Sequence, residues 1–232
     1  MTTPRSQVGV ALLHDEDIPA CFQVLSESFG HDAPFIDIYF PRHDTPHGQA
    51  QGSERLATWK QNSNESTFLK VVARVAVENR EKIIGLAVWT HMTVPPPAEL
   101  EKVENIEQVW PDRNDREYMS RLWKDYIVPR TKAIADSNGK GVYVLELLAV
   151  HPEYQRLGAG TALVKWGTQA ADRLGLEAIV EATPVGRRLY EQCGLSVEIE
   201  EMYFEVGHEF DDGRQKPKLS FMRRGAGNSH GF

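Results

Sequence analysis

Two hydrophobic periods alternate along the chain. The apolar run "VGVALL" (residues 8–13) predicts a strand, and "HDEDIPACFQVLSESFG" after it has a helical period, with Ile18, Phe22, Leu25 and Phe29 on one face. Asp15 or Asp17 can cap that helix, Pro19 suits its first turn and Gly30 can end it. "PFIDIYF" predicts a second short helix, "PRHDTPHGQAQGS" a turn-rich loop and "ERLATWKQN" another helix. Residues 67–92 read as a hairpin, two β-branched apolar runs around the polar turn "ENREK", and the prolines of "VPPPAE" stop its second strand.

Residues 94–140 form a long charged insertion. Its segment "REYMSRLWKDYIVPRTKAIADSNGK" predicts a helix, with Tyr118, Leu122, Tyr126 and Trp110 as an apolar stripe. Then comes "GVYVLELLAV" (141–150), apolar enough for a central strand. The helix "GTALVKWGTQAADRLG" follows, with Leu163, Trp166, Gly167, Ala170 and Leu174 on its buried face and Gly175 at its end. "LEAIVEA" predicts a strand, "PVGRRLYEQCG" a helix from its proline to Gly194, and "LSVEIEEMYFEV" and "KLSFMRR" the last strands. A tail, 225–232, is expected to be loose. No repeat or linker interrupts the order, so a single α/β domain over residues 1–232 is expected.

Charge and cysteine content narrow the function classes. The formal net charge is -7, which argues against a broad nucleic-acid surface. No stretch approaches the ~18 apolar residues of a membrane span. Two cysteines, Cys21 and Cys193, suit a reducing compartment, so the cytoplasm is expected by default, with the nucleus as the alternative. His43 and His47 have the spacing of helical metal ligands, but they lie among prolines with no third ligand near in sequence, so no metal is expected.

The candidate chemistry centres on "QRLGAGTAL" (155–163), where the apolar strand gives way to a helix. A helix start has unpaired amides and partial positive charge, and glycines let an anion reach them. A P-loop needs Lys where Thr161 stands, and a dinucleotide fingerprint needs a third small residue where Leu163 stands. Gln155, Gly158 and Gly160 match Q/R-x-x-G-x-G/A instead. The alternative is that the glycines serve only tight strand–helix packing, a reading that fits Gly160 alone but not the meeting of Gln155, Arg156, Gly158 and Gly160 at one junction.

This stretch resembles motif A of the GNAT superfamily of acyl-CoA-dependent N-acyltransferases. "EAIVEATPVGRRLYEQCGL" resembles motif B, in a form most similar to fungal members, and the two motifs together cover residues 142–195. The resemblance implies an α/β (α+β) GNAT fold: a central mixed, largely antiparallel twisted sheet of about seven strands flanked by helices, with 94–140 inserted before the CoA-binding strand as a possible acceptor-site wall or lid. It implies that Arg156, Leu157, Gly158, Ala159, Gly160 and Thr161 receive the CoA pyrophosphate, with Gln155 completing the motif. Leu148, Ala149 and Val150 would run beside the pantetheine arm, where this strand and the next splay apart.

The resemblance also implies attack of a neutral amine on the acetyl-CoA thioester in a ternary complex, with no metal. Tyr190 matches the motif B tyrosine, a general acid or thiolate-stabilising hydroxyl that also contacts CoA. Packing on an amphipathic helix is its plainer reading. Glu146, twelve residues before Gly158, is the candidate base; pairing with a neighbouring Arg or facing water is as compatible with the sequence. Thr183 stands where many members carry an Asn that contacts CoA, and can cap the helix instead. The expected activity is acetyl transfer from acetyl-CoA to a primary amine of a small molecule, by a monomer or homodimer with no nucleic-acid or membrane partner. A protein lysine or N-terminal acceptor, and a non-catalytic acyl-CoA sensor, are the alternatives.

Overall fold

The computed structural model describes residues 8–75, 80–100, 107, 110–210 and 214–227. Seven strands form one sheet: β1 (Val8–Leu12), β2 (Ser66–Val75), β3 (Arg80–Met92), β4 (Val142–Val150), β5 (Glu177–Ala182), β6 (Ser196–Ile199) and β7 (Ser220–Arg224). Their order is β1-β2-β3-β4-β5-β7-β6. Every neighbouring pair is antiparallel except β4 and β5. The helices are α1 (Ile18–Phe29), α2 (Pro34–Tyr39), α3 (Pro46–Asn62), α4 (Arg113–Asp136), α5 (Ala159–Leu174) and α6 (Pro184–Gln192). No helix among the described residues is long and apolar enough to cross a membrane.

Alternation along β3 divides the core. Ala87 and Trp89 point to the face covered by α5 and α6, and Leu86 and Val88 to the face covered by α1 and α3. The α5 helix lies close because Gly167 leaves room for the indole of Trp89, where a Cβ would overlap the ring. That indole stacks on Tyr143 of β4 at 5.4 Å and donates to the Leu163 carbonyl at 3.3 Å. On the other face Gly52 of α3 admits the Phe22 ring of α1 in the same way. The insertion supplies α4, whose Tyr118, Met119, Leu122 and Ile134 are buried together with Val142 and Val144 of β4.

Several elements depart from the sequence expectation. The stretch expected as a turn-rich loop enters a helix at Pro46, because Thr45 accepts the Gly48 amide through its hydroxyl and the two glycines fit against neighbours rather than breaking the turn. Asp17 occupies the capping position of α1, yet its carboxylate takes the His14 amide and Lys70 instead of a helix amide. Leu174 is 57% exposed rather than buried. The chain reverses at Gly175 (φ +66°), and Leu176, whose amide returns to the Ala171 carbonyl, takes the buried place. The penultimate strand stops at Ile199. Beyond it Met202, Phe204 and Val206 are still buried alternately, but against α4, with the Glu205 amide on Asp125 and the Val206 carbonyl taking Arg121. After Met202, whose amide still donates to the Leu219 carbonyl, side chains of α4 thus replace a strand partner. The tail begins anchored, since the Gly227 amide donates to Asp172 at 3.0 Å, while residues 228–232 lie outside the described residues. So do residues 76–79 of the hairpin turn and most of the acidic run after Glu99.

Candidate active site

Strand β4 positions the site through an irregularity. Its ladder with β3 runs from Leu145, opposite Trp89, straight to Leu147, opposite Val88, so Glu146 is the extra residue of a β-bulge. The bulge flips the alternation: Tyr143 and Leu145 belong to the core under α5, Leu147 and Ala149 to the core under α1. Glu146 is thereby turned toward α4.

The β4–β5 pairing is short. Val142, Val144 and the residue between them pair with Glu177–Ile179, and there it ends, although both strands continue. Glu146 and Glu181 each stand two residues past the last pair, at the mouth of the opening. Arg130 of α4 fills the space between them. Its Nη1 donates to both Glu146 oxygens (3.1 and 3.0 Å), its Nε and Nη2 to the two Glu181 oxygens (3.1 and 2.7 Å), and Nη2 also to the Tyr126 hydroxyl (3.0 Å). Tyr126 closes the ring by donating to Glu181 at 3.1 Å. The Arg130 and Glu181 side chains are each 1% exposed, the Glu146 side chain 16%.

Five charge-assisted or phenolic bonds satisfy most of the guanidinium donors, which is what permits such a group to be buried. Two carboxylates against one guanidinium leave the cluster one negative charge in excess. Burial pushes the Glu146 carboxyl above its ordinary range; Arg130 opposes that and the Glu181 charge adds to it. Phe35 of α2 lies 4.8 Å from the Tyr126 ring, and Trp123 stacks on its other neighbour position at 5.7 Å, so aromatic surface borders the charged cluster. Trp110 and Tyr118, by contrast, are buried anchors of the insertion; the Trp110 indole donates to the Ile38 carbonyl at 2.6 Å.

Next to the opening, β4 ends in a turn that leads into α5. Arg156 (φ +65°) and Gly158 (φ +92°) both adopt left-handed backbone. The first backbone amide after the turn with a protein acceptor is that of Ala162, on the Gly158 carbonyl. Among the described residues the amides of Arg156, Leu157, Gly158, Ala159, Gly160 and Thr161 have none. Nothing stands within 4 Å of where a Gly158 Cβ would be. A concave run of free amides at a helix start, with open space above it, is an anion cradle. Gly160 has a packing reason as well, since a Cβ there would press on Leu189 at 2.9 Å. The Gln155 side chain is used internally, its amide donating to the Val150 carbonyl at 3.2 Å. Leu148 and Val150 are half-buried against the α5 face, Ala149 is buried on the other, and all three lie past the last β4–β5 pair.

Tyr190 lies on α6, 7% exposed and packed in the core under α5, with its ring against Gly186. Burial raises its phenol, with the Cys193 sulfur adding a smaller push. Thr183 caps α6: the Gly186 amide donates to its hydroxyl at 3.4 Å and to its carbonyl at 3.0 Å. The imidazole of His91 lies 2.9 Å from the Lys140 carbonyl, at the opposite end of β3 from the cradle.

The carboxylate of Glu146 therefore has an arginine partner, and that partner was not legible as such in the sequence. The available signal was a pair of carboxylates, Glu146 and Glu181, each inside an apolar strand and each in need of a cation. His43 likewise has different company from that suggested by spacing. Its neighbours are His31 and Asp37, not His47, with the three candidate ligand atoms within 4.8 Å of one another.

The Acetyltransferase (GNAT) family model matches residues 35–195, which spans the bulged strand, the opening, the amide cradle and α6. The chain belongs to the GNAT acetyltransferase family. Solved structures share this GNAT fold along nearly their whole length. A Corynebacterium glutamicum protein described as histone acetyltransferase HPA2 and related acetyltransferase is 19% identical, with TM-score 0.60 over 96% of this chain and 98% of that one. A mosquito arylalkylamine N-acetyltransferase like 5b is 14% identical, with TM-score 0.58 over 94% and 99%. The Escherichia coli ribosomal-protein-S18-alanine N-acetyltransferase is 15% identical, with TM-score 0.50 over 97% and 100%. No curated protein matches the chain by sequence. At such identities the likeness concerns the fold, and the acceptor has to be argued from this GNAT chain's own residues.

Proposed function

We propose that the chain is an N-acetyltransferase that moves the acetyl group of acetyl-CoA onto a primary amine of a small molecule by direct attack in a ternary complex. The observation that carries this reading is the juxtaposition at the end of β4: six free amides beside an opening in the sheet, with a bulged carboxylate at its mouth. The amides of 156–161 suit a pyrophosphate, and Arg156 can add a charge-assisted contact. The edge of Leu148 and Ala149 past the last β4–β5 pair suits an extended amide-bearing arm, the Val150 carbonyl being already held by Gln155.

The acceptor enters mostly as an ammonium, since an alkylamine has a pKa of about 10.4. The excess negative charge of Glu146 and Glu181 over Arg130 favours a cation, and Phe35, Trp123 and Tyr126 suit an apolar body attached to it. Glu146, whose carboxyl burial holds above the ordinary carboxylate range, takes the amine proton directly or through one water. Nitrogen then attacks the carbonyl carbon, the C–N bond forms and the C–S bond breaks. Tyr190, whose phenol burial keeps protonated, supplies the proton to the departing sulfur, and the second proton shed by the acylated nitrogen returns to the Tyr190 oxygen, directly or through water. Bound acetyl-CoA supplies the activated acyl group and a thiolate leaving group.

The test is release of CoA thiol from acetyl-CoA in the presence of aromatic amines, polyamines, amino sugars, amino acids and short basic peptides, with products weighed by mass spectrometry. Turnover is expected with a small amine. Tyr190→Phe is expected to lower kcat by about 10²–10⁴-fold while acetyl-CoA binding is kept. A chain that neither binds acetyl-CoA nor acylates any amine would overturn the proposal, and turnover confined to peptides would overturn its acceptor class.

A further inference from the structure

Away from the opening, three elements meet in a cluster that acyl transfer does not use. Asp37 of α2 holds one carboxylate oxygen, Oδ1, between two imidazoles: His31 Nδ1 at 2.7 Å and His43 Nε2 at 3.2 Å. His31 follows α1, and His43 precedes α3. His43 is fully buried and His31 is largely exposed.

Hydrogen bonds orient the buried ring. Ser26 Oγ lies 3.0 Å from the His43 carbonyl and 2.8 Å from His43 Nδ1, and the same carbonyl also accepts the Gln49 side-chain amide. With the Ser26 hydroxyl donating to the carbonyl, Nδ1–H donates to Oγ and the Nε2 lone pair points at the Asp37 oxygen, the state in which the two atoms can share a cation; with the hydroxyl donating to Nδ1, Nε2–H donates to Asp37 instead. His31 is oriented in the same sense: its Nε2 lies 3.5 Å from Asp44 Oδ2, which leaves Nδ1 toward Asp37. Each imidazole thus has an outer partner on one nitrogen and directs the other to the same oxygen, the arrangement in which metal-ligating histidines are held.

We propose that His31 Nδ1, Asp37 Oδ1 and His43 Nε2 bind a divalent transition-metal ion of the zinc class, with Ser26 and Asp44 as the outer partners and water completing the coordination. Two imidazoles and a carboxylate suit Zn²⁺, whose tetrahedral sites space their ligand atoms roughly 3.3 Å apart for bonds of about 2.0–2.1 Å. The buried pair is already at that spacing, and the exposed His31 has room to withdraw by the remainder. The ion would staple the end of α1, α2 and the turn before α3. Since α2 carries Phe35 and Tyr39, it would stiffen that border of the active site without taking part in the chemistry.

The experiment uses the full chain, stripped with a chelator and titrated with ZnCl₂ against a chromophoric competitor, with no acyl-CoA present, so that it stands apart from the acetyltransferase assay. One equivalent is expected to bind and to raise the melting temperature. His31→Ala and Asp37→Asn, which alter partly exposed side chains, are expected to abolish that equivalent, and Ser26→Ala to weaken it by about 10–100-fold. Co²⁺ in place of Zn²⁺ is expected to give visible ligand-field bands that His31→Ala removes. No zinc uptake by the parent chain, or uptake that His31→Ala and Asp37→Asn leave unchanged, overturns the site.

Discussion

The amide cradle and the carboxylate–arginine cluster sit at the same opening in the sheet and are built in opposite ways. The cradle is contiguous: seven residues, 155–161, shape it with backbone atoms, two left-handed φ angles and an exposed surface. The cluster is dispersed: Tyr126 and Arg130 come from α4, Glu146 from β4 and Glu181 from β5, and all are largely withdrawn from water. The difference implies different vulnerabilities. A backbone cradle loses its ligand when its conformation changes but has little stake in the stability of the fold. A buried ion cluster is part of the fold, because removing one partner strands the others where water cannot solvate them.

The sharpest way to break the comparison is at Arg130. Arg130→Met leaves two carboxylates facing each other, one of them 1% exposed. A loss of about 3–5 kcal/mol in stability is expected from urea unfolding, as for other buried pairs deprived of one member. Adding Glu181→Gln to that variant is expected to restore part of the loss, since a neutral amide has less to gain from the missing cation. A double variant no more stable than Arg130→Met would mean that the guanidinium contributes by packing alone.

Next in size is Glu146→Gln, which separates the chemistry from the scaffold. If Glu146 is the base, kcat falls by about 10²-fold or more. The pH profile gives the sign. The carboxylate is the active form, so the rate rises with pH through the Glu146 pKa. Burial places that acidic limb above the usual carboxylate range. In Glu146→Gln the limb should vanish; an unaltered limb would assign it to another group and leave Glu146 as the structural partner of Arg130.

The same contrast explains what was legible in the sequence. "QRLGAGTAL" announced the cradle because every atom involved lies within a few residues, and left-handed backbone is written as glycine at Gly158. It announced Arg156 less well, a side chain held at φ +65° with no glycine to signal it. The sheet was readable because strand and helix periods differ, and motif spacing fixed the order of β4, α5, β5 and α6. What failed was long-range pairing. The bulge at Glu146 arises from register with β3, and the identity of its cation from where the insertion folds back. The segment after Ile199 kept a strand's alternation of buried residues but found side chains of α4 in place of a ladder. The second half of α3 was readable from Glu54 onward, but its first turns were hidden by glycines that are there for close packing on Phe22 and on the Arg42 carbonyl, not for a turn.

Within the cradle, effects should be smaller on stability and larger on binding. Gly158→Val puts a β-branched residue at φ +92°, at a cost of about 1–2 kcal/mol in backbone strain, with no steric clash to add because nothing lies near its Cβ. If the strain is relieved by turning the amides away, acetyl-CoA affinity measured by calorimetry falls by at least about tenfold, equivalent to roughly 1.4 kcal/mol. Gly160→Ala is the control: its Cβ meets only the flexible end of Leu189, so a small loss in both quantities is expected. Equal losses for the two variants would mean that packing, not amide geometry, is what the glycines provide.

The smallest effect, and the one that separates charge from shape, belongs to Arg156. Its side chain is exposed, so a contact to a phosphate is screened by solvent and salt and is worth about 0.2–1 kcal/mol, a loss of affinity of roughly 1.5- to 5-fold on substitution. Arg156→Ala removes the charge and keeps a side chain at positive φ. Arg156→Gly removes the charge and also the strain of that φ. If charge alone matters, the two variants bind acetyl-CoA equally, and their deficit shrinks as salt is raised from 50 to 500 mM (about 14 to 4 Å in screening length). If the left-handed backbone is the limiting feature, Arg156→Gly binds better than Arg156→Ala at every salt concentration, which would place the burden of phosphate recognition on the amides and leave the guanidinium a minor part.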